Sequence, residues 1–307
     1  MFPVISIITP SYNQGQFIEE TIVSVLNQDY PNIEHIVIDG SSTDHTLEIL
    51  KKYEGKIKWI SEKDEGQVDA VNKGFKVAQG EILGWLNSDD VYEPDCIEKV
   101  VEYFISNPDV LLVYGNGFQM NTDGSLKVPF KSGPVTFKKL SKKNPLLQPS
   151  IFFRKEVLSK VGYLDIHYQY VMDYEFWVRI FKKYEHQTAY LPVYLSSWRL
   201  HGEAKTSRSR GKIYDEIFEV LTRYYKKISS SWMVWYIAEI LLGYNSNKGI
   251  KYFILRQKWP LVSSLRILIQ RFGYFKAMVY FLRFGIELPF LLMSQIFFKK
   301  TAGLKSN

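Results

Sequence analysis

Asn87-Ser88-Asp89-Asp90 ends a short apolar run, Ile82 to Leu86, with two adjacent carboxylates. A run with little polar alternation reads as a strand buried on both faces, as in a parallel sheet covered by helices. Adjacent aspartates repel each other, and a divalent cation bridging to phosphate would relieve that repulsion. In open α/β sheets, ligands bind outside the carboxyl ends of the strands, where this pair falls. The alternative is a solvated turn in which Asp89 or Asp90 caps the next helix. Asp39 follows a β-branched run and precedes Gly40, so it is either a turn residue or a ligand group on the same rim. Asp173 falls at i with Phe176, Trp177 and Ile180 at i+3, i+4 and i+7. Its carboxylate therefore shares a helix face with apolar side chains. A partly desolvated carboxylate has a raised pKa and suits taking a proton from a hydroxyl. The alternatives are an N-cap or a buried acid paired with Arg179 or a lysine. His201 precedes a basic loop, Gly202 to Gly211. A lone His is more often structural, yet a closing loop could carry this one onto a metal or diphosphate.

These residues need elements that gather them. Val4 to Thr9, Ile33 to Ile38, Ile57 to Ser61 and Glu81 to Leu86 read as strands. Gln16 to Gln28, Thr43 to Tyr53 and Gln67 to Ala78 read as the helices between them, the last opened by a turn at Gly66. This βαβαβαβ order implies a parallel sheet with right-handed crossovers, whose polar strand ends share one rim. Asp44 reads as a first-turn helix residue. Beyond Pro94 the pattern is mixed: a helix at Cys96 to Ile105, a strand at Leu111 to Gly115, and a hairpin turn at Asn121-Thr122-Asp123-Gly124. A strand at Gln148 to Phe153, a helix at Tyr174 to Tyr184 and a strand at Ala189 to Trp198 follow.

The chain has 307 residues, enough for one large or two ordinary domains. Cys96 is its one cysteine, so no internal disulfide forms, and a cysteine-based metal site is disfavoured. Met1 leads directly into a strand pattern, and no secretory leader is expected. The net charge of +7 hides an asymmetry: residues 1–100 hold 8 basic against 18 acidic residues, the remainder 31 against 14. The acidic part suits metal and nucleotide chemistry, the basic part an anionic surface.

Four stretches together carry a family resemblance: Ile5-Ser6-Ile7-Ile8-Thr9-Pro10-Ser11-Tyr12-Asn13, Glu34 to Asp44, Asn87-Ser88-Asp89-Asp90, and Met172-Asp173-Tyr174-Glu175-Phe176-Trp177-Val178-Arg179. In order and spacing the chain resembles an inverting glycosyltransferase of family 2 with the GT-A nucleotide-sugar fold, an α/β fold with a mostly parallel central sheet. The resemblance implies a catalytic domain over residues 1–212, with a nucleotide-sugar half (1–100) and an acceptor half (101–212). It places Pro10 and Tyr12 against the donor nucleobase, Asp39 in a hydrogen bond to that base, and Asp89 at the ribose or the metal. Asp90 would bind the cation, Mg²⁺ or Mn²⁺, and Asp173 would be the general base. The implied partners are a nucleotide-diphosphate sugar, a UDP-sugar by family analogy, and a saccharide or lipid-linked acceptor. Two positions depart from the family's usual pattern: Asn87 where Asp is common, and Met172 where Glu is common. Glu175 is a second carboxylate close to Asp173.

Residues 213–307 read as a helical extension. From Asn247 onward, basic residues such as Lys248, Arg256 and Arg271 interleave with Tyr252, Trp259, Phe272 and other aromatics, and Glu287 is the only acid. This composition suits helices lying on an anionic membrane surface, on the cytoplasmic face; the alternative is an ordinary helical cap whose apolar face packs on the catalytic domain. Arg283, Glu287 and Pro289 interrupt Ala277 to Phe298, the one stretch of spanning length. The aromatics form no evident base-stacking platform, so nucleic acid is not an expected partner. Two other classes stand beside the enzyme reading. A sugar nucleotidyltransferase would carry a basic, glycine-rich loop after the first strand, and Thr9 to Gly15 has no Lys or Arg. A non-catalytic binding protein would have no use for Asp89, Asp90 and Asp173.

Overall fold

From the amino end, strands and helices alternate: β1 (Ile5–Ser11), α1 (Ile18–Leu26), β2 (Ile33–Asp39), α2 (Thr46–Lys52), β3 (Lys58–Ser61), α3 (Gln67–Val77) and β4 (Ile82–Trp85). β1 is buried at every position, as an unbroken apolar run between two layers requires. It pairs in parallel with β2 on one side and β4 on the other, and β3 pairs in parallel with β2. The βαβ pattern in the sequence is therefore the pattern of the sheet. This computed structural model describes residues 2–125, 127–202 and 210–236.

β1 runs two residues past its expected end, through Pro10. The Ile8 carbonyl accepts the Leu86 N–H, so alternate residues of β1 face β4. β4 stops pairing opposite Ile8, so the N–H that Pro10 lacks has no ladder partner to lose. α2 starts three residues later than expected. Asp44 Oδ1 accepts the Thr46 N–H at 3.0 Å, and its Oδ2 accepts the Gly15 N–H at 3.0 Å, so Asp44 caps the first turn from outside the helix. Buried Ile18 and Ile22 of α1 and Ile49 and Leu50 of α2 pack on Val37.

The second half contains β5 (Val91–Tyr92), α4 (Cys96–Ser106), β6 (Leu112–Met120), β7 (Lys127–Phe130), α5 (Phe137–Leu140), β8 (Ile151–Arg154), α6 (Glu156–Val161), α7 (Met172–Tyr184) and β9 (Thr188–Arg199). β8 lies antiparallel between β4 and β6, and β9 runs parallel to β6 and antiparallel to β5. The strand order is β3-β2-β1-β4-β8-β6-β9-β5, with β7 on β6. β6 and β7 form the hairpin expected at Asn121–Gly124, with Gly124 at φ +74°. Gln148–Ser150, expected as strand, is a turn of 3₁₀ helix around Pro149, and β8 begins only at Ile151. Antiparallel β8 was not legible as such, because its buried apolar run looks like any parallel core strand.

Of the described residues, 2–140 with 144–202 belong to one compact unit, and 141–143 with 210–236 to a second. In the second, α8 (Arg210–Tyr225) and α9 (Ser230–Tyr236) meet through aromatic rings: the Tyr214 centroid lies 5.5 Å from that of Tyr236, and Phe218 lies 5.3 Å from Tyr236. Among the described residues no helix is long and apolar enough to cross a membrane. The basic, aromatic stretch after Asn247 lies outside the described residues.

α3 approaches β1 most closely at Gly74, where a Cβ would stand 2.3 Å from Ile8 Cγ2. Alanine is the better helix former by about 1 kcal/mol, but overpacking a buried contact costs about 1–3 kcal/mol. Gly74→Ala should therefore lower stability by about 0–2 kcal/mol in urea unfolding, and a raised midpoint would contradict this packing.

Candidate active site

The carboxyl ends of β1, β2 and β4 open into a cavity of about 850 Å³. Its wall takes Pro10, Ser11 and Tyr12 from β1 and its loop, Gly40 after β2, and Asp64, Gly66 and Gln67 between β3 and α3. Asn87, Asp89 and Asp90 follow β4, Tyr170 precedes α7 and Asp173 lies in its first turn, and Trp198, Arg199 and His201 come from the end of β9 and the residues after it. Six of the seven residues singled out in the sequence border this one space: Pro10, Tyr12, Asp89, Asp90, Asp173 and His201. Tyr12 offers an exposed ring face to it, at 60% exposure.

Asp39 is the seventh, and it does not reach the cavity wall. It is fully buried. Its carboxylate accepts the Ser42 N–H at 3.0 Å, the Ser42 hydroxyl, and the Ser61 hydroxyl at 2.6 Å. These bonds shape the turn in which Ser41 adopts φ +63°. The carboxylate nearest that turn on the cavity side is Asp64, packed so closely on Gly40 that a Cβ there would stand 2.7 Å from its Oδ2. Asp64 and Gln67 were not singled out from the sequence, where the segment reads only as a turn before a helix. Its position after a parallel strand was the available signal.

Asp89 and Asp90 separate in role. The Asp89 carboxylate meets the His201 imidazole, Oδ2 to Nε2 at 2.9 Å. Asp90 turns inward and is 4% exposed. Burial, reinforced by the charge of Asp89, pushes its carboxyl well above the usual range. Two donors oppose this: the Arg199 N–H at 3.0 Å from Oδ1 and the Asn87 amide at 3.3 Å from Oδ2. Asn87 uses its whole amide. Its Oδ1 accepts from Gln67 Nε2 and Trp85 Nε1, each at 2.9 Å, and its Nδ2 also donates to Gln148 Oε1 at 3.1 Å.

Among the described residues no three His, Cys, Asp or Glu side chains converge as a cation cage. What the cavity offers is one carboxylate and one imidazole in contact, Asp89 and His201, with Asp90 behind them. This donor set is too small to dehydrate a cation by itself. It fits Mg²⁺ or Mn²⁺ held mainly through phosphate oxygens and water, with one or two protein ligands.

Asp173 stands in the first turn of α7. Desolvation raises its pKa to about 6, against two backbone N–H groups that favour the charged form. Glu175 has the opposite fate. It is fully buried, outside the cavity, and paired with Arg179 at 3.0 Å. Arg179 also donates to the carbonyls of Val161 and Tyr163. The buried-acid role considered for Asp173 belongs to its neighbour.

With this geometry, the comparisons with known proteins agree. Residues 6–162 match the family described as Glycosyl transferase family 2, and the chain belongs to that family. An uncharacterised glycosyltransferase of Haemophilus influenzae is 30% identical over 228 residues, 67% of this chain and 68% of that protein. TuaG of Bacillus subtilis, assigned to teichuronic acid biosynthesis, is 41% identical over 107 residues, 34% of this chain and 42% of that one. Among solved structures, S. aureus TarS in complex with UDP-GlcNAc superposes with a TM-score of 0.59 at 21% identity, over 87% of this chain and 81% of that one. The curled mixed sheet is thus the GT-A fold anticipated from the sequence motifs.

The two carboxylates of α7 should respond differently to substitution. Glu175→Gln leaves Arg179 as a partly buried, uncompensated charge and should cost about 2–4 kcal/mol in chemical unfolding, somewhat less than for a fully buried pair. Asp173 binds its proton more tightly in the folded state, so its contribution to stability is present below the unfolded pKa of 3.8 and is lost as pH rises through about 6. Asp173→Asn should remove that segment of the stability–pH curve. A curve identical to the parent's between these pH values would show that Asp173 is solvated.

Proposed function

We propose that this glycosyltransferase moves a sugar from a nucleotide-diphosphate sugar, a UDP-sugar, to a saccharide or lipid-linked saccharide acceptor, with inversion at the anomeric carbon. The observation that carries the reading is the placement of Asp173. Its carboxylate lies in the same cavity as Asp89 and His201, and its raised pKa suits a base that takes a proton near neutrality. The roles of the site residues are part of this proposal. Pro10 and Tyr12 hold the nucleobase, and Asp39 organises the turn beneath it. Asp89 and His201 are the side chains that would hold Mg²⁺ or Mn²⁺ against the diphosphate, with Asp90 supporting them. The cation, when bound, neutralises charge on the departing nucleotide. Asp173 accepts the proton of the acceptor hydroxyl as its oxygen attacks from the face opposite the leaving group. One displacement then inverts the centre.

The biological setting is also proposed. The match to TuaG supports a role in surface polysaccharide synthesis. The basic, aromatic composition after Asn247 supports a peripheral position on the inner face of the cell membrane, with residues 1–212 as the catalytic domain and 213–307 as the associating region.

Asp173→Asn should abolish transfer while binding donor as tightly as the parent chain, because the carboxylate acts on the acceptor. In the parent chain, kcat should fall tenfold per pH unit below about 6, as the base is protonated. Transfer retained by Asp173→Asn, or a profile flat down to pH 4, would remove Asp173 from the base role. For the membrane, the full chain should sediment with anionic vesicles and only weakly with neutral ones. High salt should release it in part, each basic residue near the surface contributing about 1 kcal/mol. A full chain that ignores both kinds of vesicle would end the membrane proposal.

A further inference from the structure

Arg199 is the last residue of β9, two positions before His201, and its side chain is 2% exposed. A strand end at a cavity mouth has no general need for a buried guanidinium. Here each of its nitrogens has a separate partner. Nε donates to the Asp89 carbonyl at 3.0 Å, Nη1 to the Thr122 carbonyl at 2.7 Å, and Nη2 to Glu20 of α1 at 2.5 Å. The backbone of the same residue donates to Asp90 Oδ1, and the next N–H, that of Leu200, is bonded to the Met120 carbonyl at 2.9 Å. The Arg199 guanidinium also lies 5.0 Å from the ring centre of Phe17, and the His201 ring lies 4.9 Å from it. One side chain therefore ties the β4 end, the β6–β7 turn and α1 to the strand that delivers His201.

We propose that Arg199 is a positioning residue that holds the end of β9 so that the His201 imidazole stays on Asp89, completing the cation–diphosphate site. This rests on the metal-dependent reading above. The residue type follows from the geometry. Three acceptors in three directions match the fixed fork of a guanidinium, whereas an ammonium reaches them one or two at a time. Arg199 also supplies a permanent positive charge beside Asp89 and Asp90. It touches neither substrate nor cation in this scheme and acts through His201.

The test is Mn²⁺ binding by the full chain in the presence of UDP, followed by the electron paramagnetic resonance of free Mn²⁺, which needs no turnover. Arg199→Lys should weaken Mn²⁺ binding about tenfold in the parent background and less than about twofold in a His201→Ala background, the non-additivity of two residues acting as one. Equal losses in both backgrounds would make Arg199 a structural lock unrelated to His201, and so would parent-like binding by Arg199→Lys. Glu20→Ala is a second variant, in case Arg199→Lys does not fold. The Glu20 side chain is 55% exposed, so its removal threatens the fold less. It frees one arm of the guanidinium and should weaken binding about threefold with His201 present and not at all without it. No loss with His201 present, or equal loss in both backgrounds, overturns the proposal. If the parent chain itself binds no Mn²⁺ with UDP, the metal-dependent reading falls and this inference with it. A wrong pattern among the variants alone leaves that reading standing.

Discussion

Desolvation of a carboxylate at a strand end is the constraint on which the rest of the site depends. Asp90 is nearly enclosed, and the charge of Asp89 adjoins it. A buried acid in that position is tolerated only where donors converge on it. The donors come from far apart in the chain: the amide of Asn87 and the backbone of Arg199. Helix α1 is fastened to the same point, since Thr21 donates its hydroxyl to the Asp90 carbonyl at 2.7 Å. The topology of the second half meets this need: β9 runs parallel to β6 and ends beside the β4 loop, where its Arg199 N–H reaches Asp90.

Two kinds of information were unequally legible in the sequence. The parallel half was readable because each of its strands is a buried apolar run that ends in polar, turn-forming residues, and burial on both faces imposes that pattern directly. The antiparallel insertion of β8 was not, because Ile151 to Phe153 carries the same buried pattern whichever way the chain runs. Side-chain direction was a second limit. Spacing placed Asp39 on the rim, but its three bonds to Ser42 and Ser61 decide where it points, and no periodicity reports them. Asp173 and Glu175 show the same limit. Two residues apart on one helix, one faces the cavity and the other pairs with Arg179, and the sequence offered both as candidates.

Family membership and site geometry support each other from different directions. The family match ends at residue 162. Asp173, Arg199 and His201 all lie beyond it, and the sheet brings them to the residues within it. The family match thus takes in the ends of β1, β2 and β4 and the antiparallel β8, while α7 and β9 deliver Asp173, Arg199 and His201 from beyond it.

The amide of Asn87 has a consequence for how this site could have diverged. Trp85 Nε1 can only donate, and the Trp85 carbonyl that receives Gln148 Nε2 can only accept. These two fixed ends orient Gln148 and Asn87 like links in a chain, with the donating end of Asn87 aimed at Asp90. An aspartate at position 87 would put an acceptor where Asn87 Nδ2 now donates to Asp90 and to Gln148 Oε1, and would set two carboxylates face to face. Such a site would need a proton or a cation between the two acids, or a donor in place of the Gln148 carbonyl.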